Sequence, residues 1–89
     1  MKLTAKKILL ILFKDFTKYN ASTISKKIGI TRIGAYKSLK QLEKQGLLIS
    51  ERLGKAIFYK LNLKEVYVRK MMELLLTEEE VDAEKIERK

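Results

Sequence analysis

Arg32, Ile33, Tyr36, Lys37 and Lys40 recur at helical spacing, so one helix would display them together on one side. That side would carry a guanidinium, two ammonium groups, a phenol and a branched apolar chain. Such a set suits the edges of nucleic-acid bases. Arg32 and Lys37 can donate to guanine acceptors, Tyr36 and Ile33 can meet base edges or a thymine methyl group, and Lys40 is placed for phosphate. The plainer alternative is the solvated basic face of an ordinary surface helix. Two further clusters could serve the same chemistry. Arg52 and Lys55 flank Gly54, where a hairpin tip would hold cations toward phosphates or a minor groove, or simply keep a strand end soluble. Ser22 and Thr23 open a short helix whose free N–H groups suit a phosphate, although capping alone also accounts for Ser22.

Other chemistries are excluded by what is missing. The 89 residues contain no cysteine and no histidine. That removes disulfides, thiolate and imidazole metal sites, the cysteine nucleophile and the Ser-His-Asp triad. There is no Walker-type glycine loop and no paired-carboxylate constellation. The expectation is a non-enzyme with no catalytic residue, no cofactor and no metal.

Charge sharpens the choice of partner. The chain carries 20 Lys and Arg against 11 Asp and Glu, a net +9. Through Met72 the balance is +13, and from Glu73 to Lys89 it is −4. A basic body with an acidic tail suits a polyanion. The longest apolar run, Ile8–Phe13, is far short of the roughly 20 residues of a membrane span. Lys14 and Asp15 follow it at once, where a signal peptide would place small residues. The chain is expected to be cytoplasmic and nucleoid-associated, with no membrane partner.

Specific elements must position these groups. Thr4 reads as the N-cap of a first helix over Ala5–Lys14, and Ile8–Phe13 makes that helix apolar on every side. It needs cover on two sides, either from the domain core and a second subunit or from a monomer's core alone. Residues 15–21 read as a loop. Ser22 caps a short helix over Thr23–Ile28, ended by Gly29. Thr31 caps the next helix, Arg32 to Gln45, whose inward face is Ala35, Leu39 and Leu42 and whose stop is Gly46. Gly34 in its first turn is costly for a helix and allows either close approach to a nucleic-acid backbone or a packing accommodation. Two-residue periodicity then marks strands on either side of Leu53-Gly54-Lys55. A last helix spans Leu63–Leu76, with Leu63, Val66, Tyr67, Lys70, Met71, Leu74 and Leu75 as one broad stripe that Val68, Met72 and Leu76 widen further. Thr77-Glu78-Glu79-Glu80 has capping-box spacing, so the tail either starts a new helix or continues the last one.

The order helix, helix, turn, helix, hairpin, helix is that of a winged helix-turn-helix. Particular residues resemble a family. Ile28-Gly29-Ile30-Thr31, Tyr36-Lys37-Ser38-Leu39 and Leu42-Glu43-Lys44-Gln45-Gly46-Leu47-Leu48 resemble the core of small winged-helix transcriptional regulators. Ser50-Glu51-Arg52-Leu53-Gly54-Lys55 and Phe58-Tyr59-Lys60-Leu61 resemble the wing of ArsR-type and MarR-type repressors. The resemblance covers roughly Ala5 to Leu63. It implies a mainly α fold with a β-hairpin wing, a recognition helix and DNA binding. The metal ligands of ArsR-type sensors are absent, so metal sensing is not implied.

The sequence therefore predicts a sequence-specific regulator that binds double-stranded DNA as a homodimer. Residues 1–76 would form the winged domain with terminal dimerisation helices, and 77–89 an acidic helical tail. Ser22, Thr23, Thr31, Arg32, Ile33, Tyr36, Lys37, Lys40, Arg52 and Lys55 are the candidate DNA contacts. Ile8, Ile11, Leu12, Tyr67, Met71, Met72 and Leu75 are the candidate dimer contacts. The acidic tail would be held away from DNA or paired with lysines of the other subunit. The rival readings are an architectural chromatin protein that coats DNA and a winged-helix module that binds protein.

Overall fold

The computed structural model describes residues 2–87, with side chains as far as Val81. Four helices and three strands follow in the order α1 (Leu3–Lys14), β1 (Tyr19–Asn20), α2 (Ala21–Ile28), α3 (Arg32–Lys44), β2 (Leu48–Leu53), β3 (Ala56–Leu61) and α4 (Val66–Glu87). The strands form one antiparallel sheet in the order β1-β3-β2. In the wing Leu48 faces Leu61 and Leu53 faces Ala56, which leaves Gly54 and Lys55 as a two-residue turn. β1 lies where a loop was expected. Two residues are too few to show a period, and it is pairing with β3, Tyr19 to Tyr59 and Asn20 to Phe58, that makes them a strand.

The helix-turn-helix follows its local chemistry closely. Gly29 ends α2 in the left-handed conformation, at φ 71° and ψ 41°, and Ile30 N–H returns to the Ser25 carbonyl at 3.0 Å. Thr31 caps α3, its hydroxyl accepting from Gly34 N–H at 3.0 Å. Gly34 also has a local reason, since a Cβ there would lie 3.0 Å from that capping hydroxyl. Ala35, Leu39 and Leu42 are buried as the periodicity required. Other boundaries move. Thr4 lies inside α1, whose N-cap is Lys2 without a side-chain bond. The cap of α2 is Asn20, not Ser22, because the Asn20 carboxamide reaches Thr23 N–H at 2.8 Å. α3 stops one residue early, at Lys44.

One core joins all these elements. Ile8, Leu9 and Leu12 of α1 pack with Ile24, Ala35, Leu39, Leu42, Leu47, Leu48, Tyr59 and Leu61, and with Val68, Met72 and Leu75 of α4. This corrects the expected dimer set. Ile8, Leu12, Met72 and Leu75 are covered within their own chain, because α1 is surrounded by α2, α3, β3 and α4. Ile11 and Met71 are half-buried and Tyr67 is exposed.

α4 differs from expectation in start, in the breadth of its buried face and in length. It begins at Val66, and its buried face is Val68, Met72 and Leu75. Val66, Tyr67 and Leu74 are exposed instead. The helix continues through the acidic tail as one element to Glu87, and Thr77 donates to the Glu73 carbonyl at 2.8 Å rather than opening a new helix. The tail's acids pair within the chain, Glu78 with Lys6 at 2.8 Å and Glu79 with Lys14 at 2.6 Å. The C-terminal end of α3 is tied to α4: Tyr67 donates to the Gln45 carbonyl at 3.1 Å, and the Asn62 carboxamide donates to the Gly46 carbonyl at 3.0 Å. No helix among the described residues is long and apolar enough to cross a membrane.

Candidate nucleic-acid interface

The candidate contacts meet around one concave feature. The start of α2, the outer flank of α3 and the tip of the wing enclose a groove of about 670 Å³. Ser22, Arg32, Ile33, Tyr36 and Lys55 line it, together with Asn20, Ala21, Ala56, Ile57 and Tyr59. Capping by Thr31 and the turn at Gly29 aim α3 so that its core stripe faces inward, and the β-pairing of the wing brings Lys55 to the same groove as Arg32.

The other candidates lie elsewhere. The Thr23 N–H donates to the Asn20 cap and the Thr31 hydroxyl accepts from Gly34 N–H as the cap of α3, so both are engaged in capping. Lys37 is exposed on the opposite flank of α3, where a second hollow is lined by Lys2, Thr4, Ala5 and Gln41. Lys40 is exposed, 3.4 Å from the Glu43 carboxylate, with its ammonium 5.9 Å from the centre of the Tyr36 ring. The Tyr59 phenol and Glu43 beside Lys40 hold its pKa above the ordinary lysine value. Arg52 is exposed on β2 opposite Ile57, outside the groove.

Three residues escaped the sequence reading. Lys44 is exposed seven residues after Lys37 and four after Lys40, and continues their face of α3. Asn20 stands three residues before the amide it caps, a spacing that was legible. Tyr59 was expected in the core. Its ring is there, at 1% exposure, but its hydroxyl has no hydrogen-bond partner within the protein. Burial chiefly pushes the Tyr59 phenol pKa up.

The electrostatics of the surface are uneven. Lys6, Lys14, Lys18, Lys27, Lys40 and Lys70 are each in an ion pair. Among the described residues, Arg32, Lys37, Lys44, Arg52 and Lys55 are in none. Lys60 of β3 is also in none, as are Lys2, Lys7, Lys26, Lys64 and Arg69 on other elements, so α3 and the wing hold a cluster of the unpaired cations rather than all of them. No group of three acidic side chains close enough to hold a metal ion occurs among the described residues.

Solved structures share this arrangement. The adhesin competence repressor AdcR of Streptococcus pyogenes superposes with a TM-score of 0.83 over 99% of this chain and 64% of its own, at 15% identity. ZitR of Lactococcus lactis, in a complex with DNA, gives 0.71 over 97% of this chain and 60% of its own, at 22% identity. The fold is a winged helix-turn-helix. A homodimeric winged helix-turn-helix DNA-binding domain from Mycobacterium bovis, described as a possible ArsR-family regulator, gives 0.73 over 89% of this chain and 69% of its own, at 19% identity. This winged-helix chain spans about three fifths of the length of AdcR and ZitR. No family model and no curated protein matches the sequence.

Proposed function

We propose that this winged-helix chain is a sequence-specific transcriptional regulator that binds double-stranded DNA as a homodimer. The observation that carries the reading is the groove between α3 and the wing, with the unpaired Arg32 and Lys55 in its lining and Lys37, Lys44 and Arg52 exposed on the same two elements. On α1, Lys6 and Lys14 are paired with the tail, whereas Arg32, Lys37 and Lys44 of α3 are left for an external polyanion. Structural neighbours, ZitR in its complex with DNA and the homodimeric DNA-binding domain from Mycobacterium bovis, support the same reading.

In this reading α3 enters the major groove. Ile33, Lys37, Lys40 and Lys44 lie opposite the core stripe and meet base edges and the phosphates beside them. The wing tip, with Arg52 and Lys55, reaches the neighbouring minor groove. The phosphate ridge between the two DNA grooves then has to pass between α3 and the wing, where Ser22, Arg32 and Tyr36 stand. Dimerisation uses the exposed side of α4. Tyr67, Leu74 and Val81 recur every seven residues and are 51%, 65% and 43% exposed. Met71 lies between them and Ile11 of α1 is half-buried. Pairing this stripe across a two-fold axis covers it and sets two recognition helices for a palindromic site.

The test is selection of bound duplexes from a random pool, followed by competition. A regulator yields a palindromic motif and a preference of about 10³ or more over bulk DNA. Binding without a motif indicates a coating protein. A chain that fails to bind, or whose log–log salt dependence is flat, refutes the DNA reading.

A further inference from the structure

Tyr59 combines two features that rarely occur together. Its ring belongs to the core, and its residue also lines the groove between α3 and the wing. Its hydroxyl is buried and makes no hydrogen bond within the protein, and it is the one side-chain polar atom in that condition among the described residues. Leaving such a group unpaired is costly, so an orphaned hydroxyl calls for an explanation. Phenylalanine would fill the same core volume without that cost. The groups around the phenol are Lys40, Glu43 and Tyr36, all from α3. Glu43 is already engaged by Ser50 and Lys40. Tyr36 and Lys40 are exposed, long and free to change rotamer on a nanosecond scale, so they form a movable cover.

We infer that the Tyr59 hydroxyl is a phosphate-binding group, held in reserve for a backbone phosphate of duplex DNA seated in the groove. This rests on the reading of the chain as a DNA-binding protein. With α3 in one DNA groove and the wing in the next, the sugar-phosphate ridge between them occupies this space. Arg32 and Lys55 supply the charge on its two walls, and the Tyr59 phenol supplies a donor at its floor once Tyr36 turns toward the bases. A phenol suits this position better than a lysine because it keeps the core neutral when no DNA is bound. The DNA-binding contribution and the cost to the free protein therefore come from the same atom.

The experiment compares wild type with Tyr59→Phe, using one short duplex of fixed sequence and a set of the same duplex carrying a single neutral methylphosphonate at each position in turn. Tyr59→Phe is expected to keep or raise the midpoint of urea unfolding, since it removes an unpaired buried hydroxyl. It is expected to weaken DNA binding about tenfold, the effect of losing one hydrogen bond to a charged acceptor. One methylphosphonate position that weakens the wild type should leave the variant unaffected. Equal affinity of variant and wild type overturns the inference. So does a variant that binds less tightly and also unfolds more easily, because the hydroxyl is then a structural group. Failure of the wild type itself to bind any duplex refutes the DNA reading instead.

Discussion

Gly46→Ala tests how the end of the candidate recognition helix is held. Gly46 lies at φ 80°, and a Cβ there would be 2.9 Å from the Tyr67 hydroxyl. That hydroxyl donates to the Gln45 carbonyl at 3.1 Å, tying α4 to the corner where α3 gives way to β2. Two costs add. Left-handed backbone costs an L-residue ~1–2 kcal/mol. Pushing the phenol aside breaks a hydrogen bond worth ~1 kcal/mol. The expected loss is about 2–3 kcal/mol, a large part of the stability of a domain this size. Gly29 is the internal control, since it has φ 71° and open space where its Cβ would be. Gly29→Ala carries the backbone cost alone, ~1–2 kcal/mol. Urea unfolding followed by circular dichroism measures both. Tyr67→Phe separates the terms further: it should cost ~1 kcal/mol in the wild type and almost nothing after Gly46→Ala. Equal losses for the two alanine variants, or a Tyr67→Phe cost that is the same in both backgrounds, would refute the clamp between α4 and α3.

Three other outcomes follow from the structure. Lys37→Ala should relax base preference in selected sites, whereas Lys55→Ala should weaken all sequences alike and reduce the salt slope by about 1; identical behaviour of the two would collapse the division between base and phosphate contacts. Leu74→Glu should leave a folded monomer by sedimentation and circular dichroism, whereas Leu75→Glu should unfold the chain, because Leu74 is exposed and Leu75 is buried; a Leu74→Glu chain that still dimerises places the interface elsewhere. A hydrogen bond from Lys18 at 2.7 Å, aided by its charge, holds the Glu51 pKa below its ordinary 4.5. The stabilising contribution is thus complete above that value and lost as pH falls through the lowered one, so thermal melts of Glu51→Gln should show a shallower acid decline than wild type.

How far the sequence could be read depended on whether polar residues marked the faces. In α3, Ile33, Lys37 and Lys40 stand opposite Ala35, Leu39 and Leu42, so phase, N-cap and outward side were legible before any coordinates. The wing was legible from its period and from Gly54. α4 was different. Val66, Tyr67, Val68, Met71, Met72, Leu74, Leu75 and Leu76 leave few polar positions to show which side is out. The expected stripe was broad enough to include both sides, and packing against α1 selects Val68, Met72 and Leu75 while leaving Tyr67 and Leu74 outside. α1 was read correctly as needing cover on several sides, but its own chain supplies most of it. β1 and the orphaned Tyr59 hydroxyl exist only through long-range pairing and packing, which no local pattern encodes.

The two ion pairs between α1 and the tail have a kinetic consequence. They are exposed and add little to stability. Their effect lies in the field the molecule carries into solution. With Lys6 and Lys14 neutralised by residues of the same chain, α1 contributes less to the long-range attraction for a polyanion, and the share of α3 and the wing rises. In the proposed DNA reading, an approaching duplex exerts a torque that favours turning this surface toward it before contact. Removing Glu78 and Glu79 would strengthen the overall pull and blunt its direction, which turns a protein that docks with one face into one that adheres to DNA by several.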